Sequence, residues 1–371
     1  MKNVLIVTKI GKNYGALLQA YALKTVIEKK GQKVKILNYE LVPTMETYRV
    51  FPKVKNWRSV FHIMQSLPRA KATKKSVDCF YQFRRECLNL TNPYKNYTEL
   101  VENPPVADIY ITGSDQVWNP KINFDKAYYL LFGKSDVIRA SYAASIGIGS
   151  IPENIKSEFS QRIKNVTYRS VREVEGNKLL KDMGIESTVN VDPTLLLDKE
   201  DYDLICKNPS YEKPYVLLYL LIMPKDVDLY VQRIRQLYPN CLIVSIPGSS
   251  YVKKIGDVEC SDIGPKEFIG LIKHSEAVFT SSFHGTVFSI LYEKKFASYL
   301  PQHTGGRIRN LLKSFDLTER IVDAPDALKI LPEPIDYTFT KAVRVQEKRS
   351  ADAYLDTILA DAYERNKDEN G

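Results

Sequence analysis

Short apolar runs alternate along the chain with longer segments of helical periodicity. The first run, residues 4–8, is followed by an amphipathic segment at 15–30 and a second apolar run at 33–38. The alternation continues to Asp192-Pro193 and restarts at residue 216. Strands that alternate with helices indicate parallel sheets covered by helices, and two such rounds predict two Rossmann-like domains.

The pattern predicts strands at 4–8, 33–38, 107–112, 137–143, 166–171, 188–191, 216–222, 241–246, 277–280 and 296–300. It predicts helices at 15–30, 71–88, 153–164, 175–183, 226–238, 265–273, 284–292 and 308–315, and a last amphipathic helix at 346–365. We expect an N-terminal, acceptor-side domain over residues 1–195 with a basic insertion at about 45–90. A C-terminal, donor-side domain over 196–335 follows, and a helix within 340–371 packs back on the first domain.

The composition is that of a globular chain. Of 371 residues, 44% are hydrophobic and 26% charged, and the longest near-continuous apolar run, 215–223, is far below the ~20 residues that span a bilayer. The N-terminal residues predict a buried strand and not a secretory signal. Five cysteines without a CxxC pair favour reduced thiols and a cytoplasmic location. Four histidines without ligand spacing predict no metal site.

The net charge of +9 is concentrated in one segment. Residues 53–85 contain nine basic side chains and a single acidic one, Asp78, so the rest of the chain is close to neutral. This distribution argues against a uniformly basic nucleic-acid-binding protein. It indicates either an anionic surface or substrate met at one place, or a solvated helix face.

Ligands of open α/β sheets bind beyond the carboxyl ends of the strands, so the strand ends supply the candidate site residues. Asn13, Tyr14 and Gly15 follow the first strand in a GxxxG turn, which indicates a ligand-approaching loop or simply a tight turn. Residues 113–120, GSDQVWNP, follow a later strand. Carboxylate, amide and indole groups suit a sugar, and Asp115 is the candidate base there.

Two further strand ends carry candidate anion-binding groups. Arg172 follows the strand at 166–171, where a guanidinium can grip a carboxylate or phosphate, or alternatively form a surface pair with Glu173. The sequence TSSFHGT at 280–286 brings hydroxyls, an imidazole and a helix N-terminus together, which favours an anion site with His284 as its titratable group. A Gly-rich, basic stretch at 303–309 follows the last strand.

Six segments in order resemble the polysaccharide pyruvyl transferase family. They are NYGALLQ at 13–19, GSDQVWN at 113–119, SVRE at 170–173, VDPT at 191–194, SFHGT at 282–286 and RIRNLL at 307–312. The resemblance implies two Rossmann-like domains of GT-B-like architecture with the active site in the cleft between them. It implies an enzyme that moves pyruvate from phosphoenolpyruvate onto a sugar as a cyclic ketal, in exopolysaccharide biosynthesis and without a further cofactor.

The resemblance also assigns residues to roles. Arg172 and His284 match positions that hold phosphoenolpyruvate, and Arg307 is a proposed substitute for an arginine that many members carry where Ser282 stands here. The predicted donor site further includes Ser281, Ser282 and Gly285. His284 is the predicted acid/base, and Asp115 binds or deprotonates the acceptor. The predicted acceptor site contains Asn13, Tyr14, Gly15, Asp115, Gln116 and Trp118.

The basic segment has a specific meaning if the acceptor is a lipid-linked oligosaccharide. We then expect residues 53–85 to contact an anionic membrane, which would place the protein at the inner face of the membrane. Two other functions stay open at this stage. One is a GT-B glycosyltransferase that uses a nucleotide sugar, and the other is a sugar- or membrane-binding protein without catalysis.

Overall fold

The chain forms two compact units in the computed structural model, which describes residues 1–40, 45–51, 63–64, 66–122, 124–248, 253–300 and 305–368. Unit 1 comprises Met1–Thr47, Arg84–Leu197 and Arg344–Gly371. Unit 2 comprises Tyr48–Phe83 and Asp198–Val343. Each unit is an α/β structure built on its own parallel sheet.

Unit 1 contains a four-stranded parallel sheet with the order β2-β1-β3-β4. Its strands are β1 (Asn3–Val7), β2 (Lys33–Ile36), β3 (Ile109–Thr112) and β4 (Ile138–Ser141). A short parallel pair, β5 (Ser170–Val171) and β6 (Thr188–Val189), continues beside β4 through bridges at Ala140–Tyr168 and Ala144–Val171. Its helices include α1 (Tyr14–Lys29), α3 (Tyr97–Glu102), α4 (Glu153–Lys164) and α5 (Val174–Lys181); α2 is Ala70–Cys87, which runs from unit 2 into unit 1.

Unit 2 contains a six-stranded sheet with the order β12-β11-β10-β7-β8-β9. Its strands are β7 (Tyr215–Leu220), β8 (Leu242–Pro247), β9 (Val258–Glu259), β10 (Ala277–Thr280), β11 (Lys295–Tyr299) and β12 (Ile321–Val322). All of its pairings are parallel. The helices are α6 (Lys199–Asp203), α7 (Val227–Leu237), α8 (Pro265–Lys273), α9 (Phe283–Leu291) and α10 (Gly306–Ser314), and α11 (Thr338–Asp368) runs from unit 2 into unit 1.

The strand order of each sheet defines a topological switch point. This point lies between two neighbouring strands from which the chain continues toward opposite edges of the sheet. In unit 2, β7 leads to β8 and β9 on one side, while β10, β11 and β12 lie on the other. In unit 1, the switch lies between β1 and β3. Ligands of open α/β sheets bind beyond the carboxyl ends of the strands at such points. The segments that follow β1, β3, β7 and β10 therefore hold the binding positions that this fold offers.

The central strands of both sheets are buried along their whole length. Every residue of β3, β4, β7 and β10 is buried, because helices cover both faces of a parallel sheet. Polar caps start the helices that follow. Asn13 Oδ1 accepts a hydrogen bond from Ala16 N (3.1 Å) at the start of α1, and Ser282 caps α9 in the same way.

Residues 48–83 group with unit 2, whereas the sequence predicted an insertion of about 45–90 in the first domain. Specific bonds explain the difference. Arg69 Nε and Nη2 form a bidentate pair with Glu259 (2.6 and 2.7 Å), and Lys75 pairs with Asp262 (2.6 Å). Ser76 Oγ donates to the carbonyl of Ile263 (2.7 Å). Residues 52–62, with three of the nine basic side chains of the segment, lie outside the described residues.

From Arg344 onward, α11 groups with unit 1. Lys30 Nζ lies 2.9 Å from carboxylate oxygens of both Asp352 and Asp356, and Tyr354 OH donates to the carbonyl of Ser141 (2.8 Å). None of the helices in the described ranges is both long and apolar enough to cross a bilayer.

Candidate functional site

A buried ionic network lies at the carboxyl edge of the unit 1 sheet, and Asp192 is its centre. Asp192 is 1% exposed. Its Oδ2 accepts hydrogen bonds from Arg172 Nη1 (2.8 Å) and Ser114 Oγ (3.2 Å). Its Oδ1 accepts from the backbone N (3.1 Å) and Oγ1 (2.7 Å) of Thr194. One carboxylate therefore joins the loop after β3, the end of β5 and the turn after β6.

Glu173 places a second carboxylate against the same guanidinium. Its Oε1 accepts hydrogen bonds from Arg172 Nε (3.2 Å) and Ser145 Oγ (2.5 Å). Burial disfavours the charged form of Arg172, but the carboxylates of Glu173, Asp192 and Asp115 outweigh this effect and raise the pKa of Arg172. The guanidinium is therefore a fixed positive charge that balances two buried carboxylates.

These contacts change the interpretation of Arg172. The sequence predicted a guanidinium that grips phosphoenolpyruvate, with a surface pair to Glu173 as the alternative. The pair exists but is buried, since the two side chains are 4% and 8% exposed. With Nε and Nη1 bound to carboxylates, Arg172 holds the strand-end loops of unit 1 in place. Glu173, Asp192 and Thr194, which were not predicted as site residues, form the network with it.

Asp115 stands in the loop after β3 in an unusual conformation. Its φ is 73°, in the left-handed region that residues other than glycine seldom adopt. Its carbonyl accepts hydrogen bonds from Val117 N (2.8 Å) and Ser145 N (2.9 Å), and its Oδ1 accepts from Gln116 N (2.8 Å). Backbone strain held by surrounding bonds is a feature of functional loops. The half-buried Asp115 carboxylate therefore stays the candidate base of unit 1.

The two other predicted residues of this loop differ from one another. Gln116 is half-buried, and its Oε1 accepts a hydrogen bond from Asn119 Nδ2 (2.9 Å). Trp118 is fully buried, its Nε1 donates to the carbonyl of Tyr128 (3.0 Å), and its ring stacks on Tyr129. The prediction that Trp118 forms a platform for a sugar is therefore corrected, because its indole belongs to the core of unit 1.

The N-terminal motif lies on the other side of the unit 1 switch point. Asn13 is exposed and caps α1, Tyr14 is half-buried, and Gly15 is buried in the first turn. Behind them, Gln19 Nε2 donates to Thr8 Oγ1 (2.9 Å), and Thr8 Oγ1 donates to the carbonyl of Ser114 (2.9 Å). Buried hydrogen bonds thus tie the segment after β1 to the loop that carries Asp115.

In unit 2, the sequence TSSFHGT forms the turn from β10 into α9. Ser281 Oγ accepts a hydrogen bond from Ile222 N (3.0 Å), which joins the ends of β10 and β7 across the switch point. Ser282 Oγ caps α9 by accepting from Gly285 N (3.3 Å). His284 lies in the first turn of α9 and is 8% exposed. Both serines therefore shape the turn that presents His284.

Gly285 is required by packing. A Cβ built on this residue would lie 2.3 Å from Thr280 Oγ1 and 3.1 Å from Tyr219 Cδ1. Glycine thus lets α9 approach the sheet closely, and this explains the residue without a direct contact to a ligand. Arg307 is half-buried near the start of α10, after residues 301–304, which lie outside the described ranges.

A separate pocket of about 480 Å³ opens at the amino edge of the unit 1 sheet, away from the predicted residues. Its lining includes Asp108, which is bound to Asn3 N (2.7 Å), and Arg365, which is paired with Asp361. None of the predicted site residues lines it. Within the described ranges, no group of three His, Cys, Asp or Glu side chains is arranged to hold a metal ion.

Comparisons with known proteins agree with this architecture. A family model described as polysaccharide pyruvyl transferase matches residues 13–303, while a search of curated proteins gives no match. The chain is similar to UDP-GlcNAc 2-epimerase from Methanocaldococcus jannaschii, with 14% identity, 93% of this chain and 99% of that chain covered, and a TM-score of 0.50. At this identity the similarity shows the fold alone, a GT-B-like pair of Rossmann-like domains.

Two further solved structures have lower scores. UDP-GlcNAc 2-epimerase from Neisseria meningitidis is 10% identical, with 94% of each chain covered and a TM-score of 0.45. The glycosyltransferase SnogD from Streptomyces nogalater is 9% identical, with 94% of this chain and 95% of that chain covered and a TM-score of 0.40.

Asp192→Asn is expected to lower the free energy of unfolding by about 3 kcal/mol, because it removes one partner of a buried ion pair and turns an amide toward donors. Urea unfolding monitored by circular dichroism measures the change. Asp182→Asn, at an exposed carboxylate, is the matched control and is expected to stay within ~0.5 kcal/mol of the parent. Equal stability of the two variants would contradict the role of Asp192 as an anchor.

Gly285→Ala is expected to cost about 2 kcal/mol, because the added methyl group overlaps Thr280 and forces α9 away from the sheet. The melting temperature should fall by about 5 °C in a thermal scan. Gly306→Ala is the control, since a Cβ there meets nothing within 4 Å and alanine favours the helix. A Gly285→Ala protein that melts with the parent would show that the helix has room to shift.

Proposed function

Because the chain belongs to the polysaccharide pyruvyl transferase family, we propose that it transfers pyruvate from phosphoenolpyruvate to a sugar of a cell-surface polysaccharide, or of its lipid-linked precursor, as a cyclic ketal. The family supplies the general activity of a transferase that acts on polysaccharide. The observation that supports the assignment most is that the polar motifs within the matched range 13–303 follow β1, β3 and β10, at the switch points of the two sheets.

The proposed reaction needs two acceptor hydroxyls and one proton donor. The first hydroxyl adds to C2 of phosphoenolpyruvate, and C3 gains a proton to become the methyl group. The C2–O bond to phosphate breaks, and the second hydroxyl forms the second C–O bond of the ketal. One hydroxyl proton is thus returned to C3, and the other leaves with phosphate or solvent. The protein must hold a carboxylate and a phosphate and move protons at two oxygens.

The turn from β10 into α9 supports a donor role for unit 2. A helix N-terminus favours anions, and His284 adds a group that can both donate and accept a proton. We assign the acid/base step to His284. Ser281 and Ser282 are assigned to the shape of the turn, since their hydroxyl oxygens already accept backbone hydrogen bonds. Arg307 is assigned as the cation that binds the phosphate.

The loop after β3 supports an acceptor role for unit 1. Asp115 is the residue assigned to bind and deprotonate a sugar hydroxyl, with Gln116, Asn13 and Tyr14 as further polar contacts. Arg172 is assigned a positioning role, because it holds Asp192 and, through it, Ser114 next to Asp115. The acceptor assignment thus retains the predicted polar residues and leaves out Trp118.

The first test is phosphate release from phosphoenolpyruvate in the presence of oligosaccharide acceptors, with pyruvate on the sugar detected by mass spectrometry. A parallel thermal scan measures donor binding, since a ligand at 100 times its Kd adds ~2.7 kcal/mol of stability. We expect stabilisation by phosphoenolpyruvate. Stabilisation by UDP- or GDP-sugars alone would support a glycosyltransferase instead. Donor binding without any release over a broad set of acceptors would favour a non-catalytic protein.

His284→Ala is expected to lower kcat about 100-fold or more, because a general acid/base contributes at least that factor. His284→Gln keeps much of the side-chain volume and should show the same loss, with a melting temperature close to that of the parent. His274→Ala is the control, since His274 is exposed and bonds Asn208 (2.9 Å). Near-parental turnover of the two His284 variants would remove this residue from the mechanism.

A further inference from the structure

One outward-facing stripe runs along the segment that precedes and begins α2. Leu67 lies in a short 3-10 turn, Leu67–Arg69, that leads into α2, and Lys71 and Lys74 follow at helical spacing. Met64 stands one turn before Leu67. Met64 and Leu67 are 63% and 56% exposed, and both lysines are exposed. These four residues, Met64, Leu67, Lys71 and Lys74, are called the docking patch below.

The opposite face of the same segment fixes its orientation. Thr73, Ser76, Val77, Phe80 and Phe83 are buried. The bidentate Arg69–Glu259 pair and the Lys75–Asp262 pair hold the segment on the residues at and after β9. The docking patch is therefore presented outward by a helix that cannot rotate without breaking these bonds.

The docking patch carries positive charge at the amino end of α2. Arg69 and Lys75 are satisfied by unit 2 carboxylates, whereas Lys71 and Lys74 form no ion pair with any residue in the described ranges. The first turn of α2 has no acidic residue, so the helix dipole adds to the lysine charges. The first acidic residue of the stripe, Asp78, lies one turn beyond Lys74. Two exposed apolar side chains beside two lysines thus form a surface with both apolar and cationic character.

The patch is anchored at the edge of the unit 2 sheet that carries the proposed donor residues. Glu259 is the last residue of β9, which pairs with β8, and β8 pairs with β7 at the switch point. Neighbouring strands are spaced by ~4.8 Å, so β9 lies about 10 Å from β7. A partner bound at the patch would thus be near the carboxyl edge of the sheet, where β10 leads into α9 and His284 lies in the first turn of that helix.

We propose that the docking patch binds the surface of an anionic lipid bilayer. Apolar side chains next to lysines suit an interface where methyl and methylene groups enter the headgroup region and ammonium groups meet lipid phosphates. This inference rests on the proposed function, in which the acceptor is carried on a lipid. Docking holds the carboxyl edge of unit 2 next to the layer where the sugars of such an acceptor begin.

The test is co-sedimentation of the full chain with vesicles of phosphatidylcholine, with and without phosphatidylglycerol. No donor or acceptor is present, so the result is independent of catalysis. We expect binding only to the anionic vesicles and a decrease at high salt. Lys71→Glu/Lys74→Glu is expected to weaken binding by ~30-fold or more. Each lysine near an anionic surface is worth about fivefold in affinity, so loss of two gives about 30-fold, and the reversed charges add repulsion.

Matched variants separate the patch from general effects. Lys178→Glu/Lys181→Glu reverses two exposed lysines at the same spacing on α5 and should leave vesicle binding unchanged. Met64→Ser/Leu67→Ser should weaken binding, whereas Leu204→Ser/Leu229→Ser, at exposed leucines elsewhere in unit 2, should not. With phosphoenolpyruvate and a lipid-free acceptor, the Lys71→Glu/Lys74→Glu protein should turn over at the parental rate.

Three results would overturn the proposal. They are an absence of vesicle binding by the parent, equal binding by the Lys71→Glu/Lys74→Glu protein and equal loss in the Lys178→Glu/Lys181→Glu control. If the parent does not bind vesicles, and the patch variants differ from it in oligomeric state, the patch is a contact between copies of the chain. Vesicle binding by a chain that fails to use phosphoenolpyruvate would retain the docking surface and reject only the proposed reaction.

Discussion

The buried carboxylate of Asp192 is the constraint on which the candidate site of unit 1 depends. A carboxylate that is 1% exposed is tolerated only when charge and hydrogen bonds compensate for its desolvation, and here four donors saturate its two oxygens. Those donors come from three chain segments that are far apart in sequence. Because the carboxylate needs all of them, the loop with Asp115, the end of β5 and the turn after β6 are held in one arrangement. The hydrogen bonds of Asp192 therefore both position the candidate site and stabilise the fold of unit 1.

Much of the fold could be predicted from periodicity, because parallel strands that are buried on both faces leave continuous apolar runs. The strands at β1, β3, β7 and β10 follow this rule, and their carboxyl ends carry the polar motifs. Other features depend on contacts that a linear pattern does not contain. Residues 48–83 group with unit 2 because Arg69 meets Glu259, which is 190 residues away in the chain. A pattern of charges along the segment indicates exposure, whereas the pairing of individual charges is decided by the tertiary fold.

The same limit explains the corrections within the site. Trp118 stands among polar residues in the sequence, yet its indole stacks in the core because the carbonyl of Tyr128 satisfies its N–H. Arg172 has the sequence context of an anion-binding residue, but its charge is used internally by Asp192 and Glu173. Both residues follow the carboxyl end of a strand, as the sequence predicted, whereas the direction of each side chain is decided by which buried group needs a partner. The Asp-Pro turn after β6 carried the signal for Asp192, since the turn that it starts, Pro193–Leu195, is buried and a polar residue at the start of a buried turn must be bonded.

The hydrogen bonds around Ser282, which caps α9, reduce the number of backbone N–H groups in this turn that can bind an anion. Its hydroxyl accepts from Gly285 N, its carbonyl accepts from Thr286 N, and its own N–H donates to Thr280 Oγ1. Three amides of this turn are thus used within the protein, and fewer remain to neutralise a ligand that carries both a phosphate and a carboxylate. The helix dipole alone supplies only about half an elementary charge. A donor that carries both a phosphate and a carboxylate would therefore need charge compensation from side chains, and Arg307 is the basic residue assigned to this role in the proposed site.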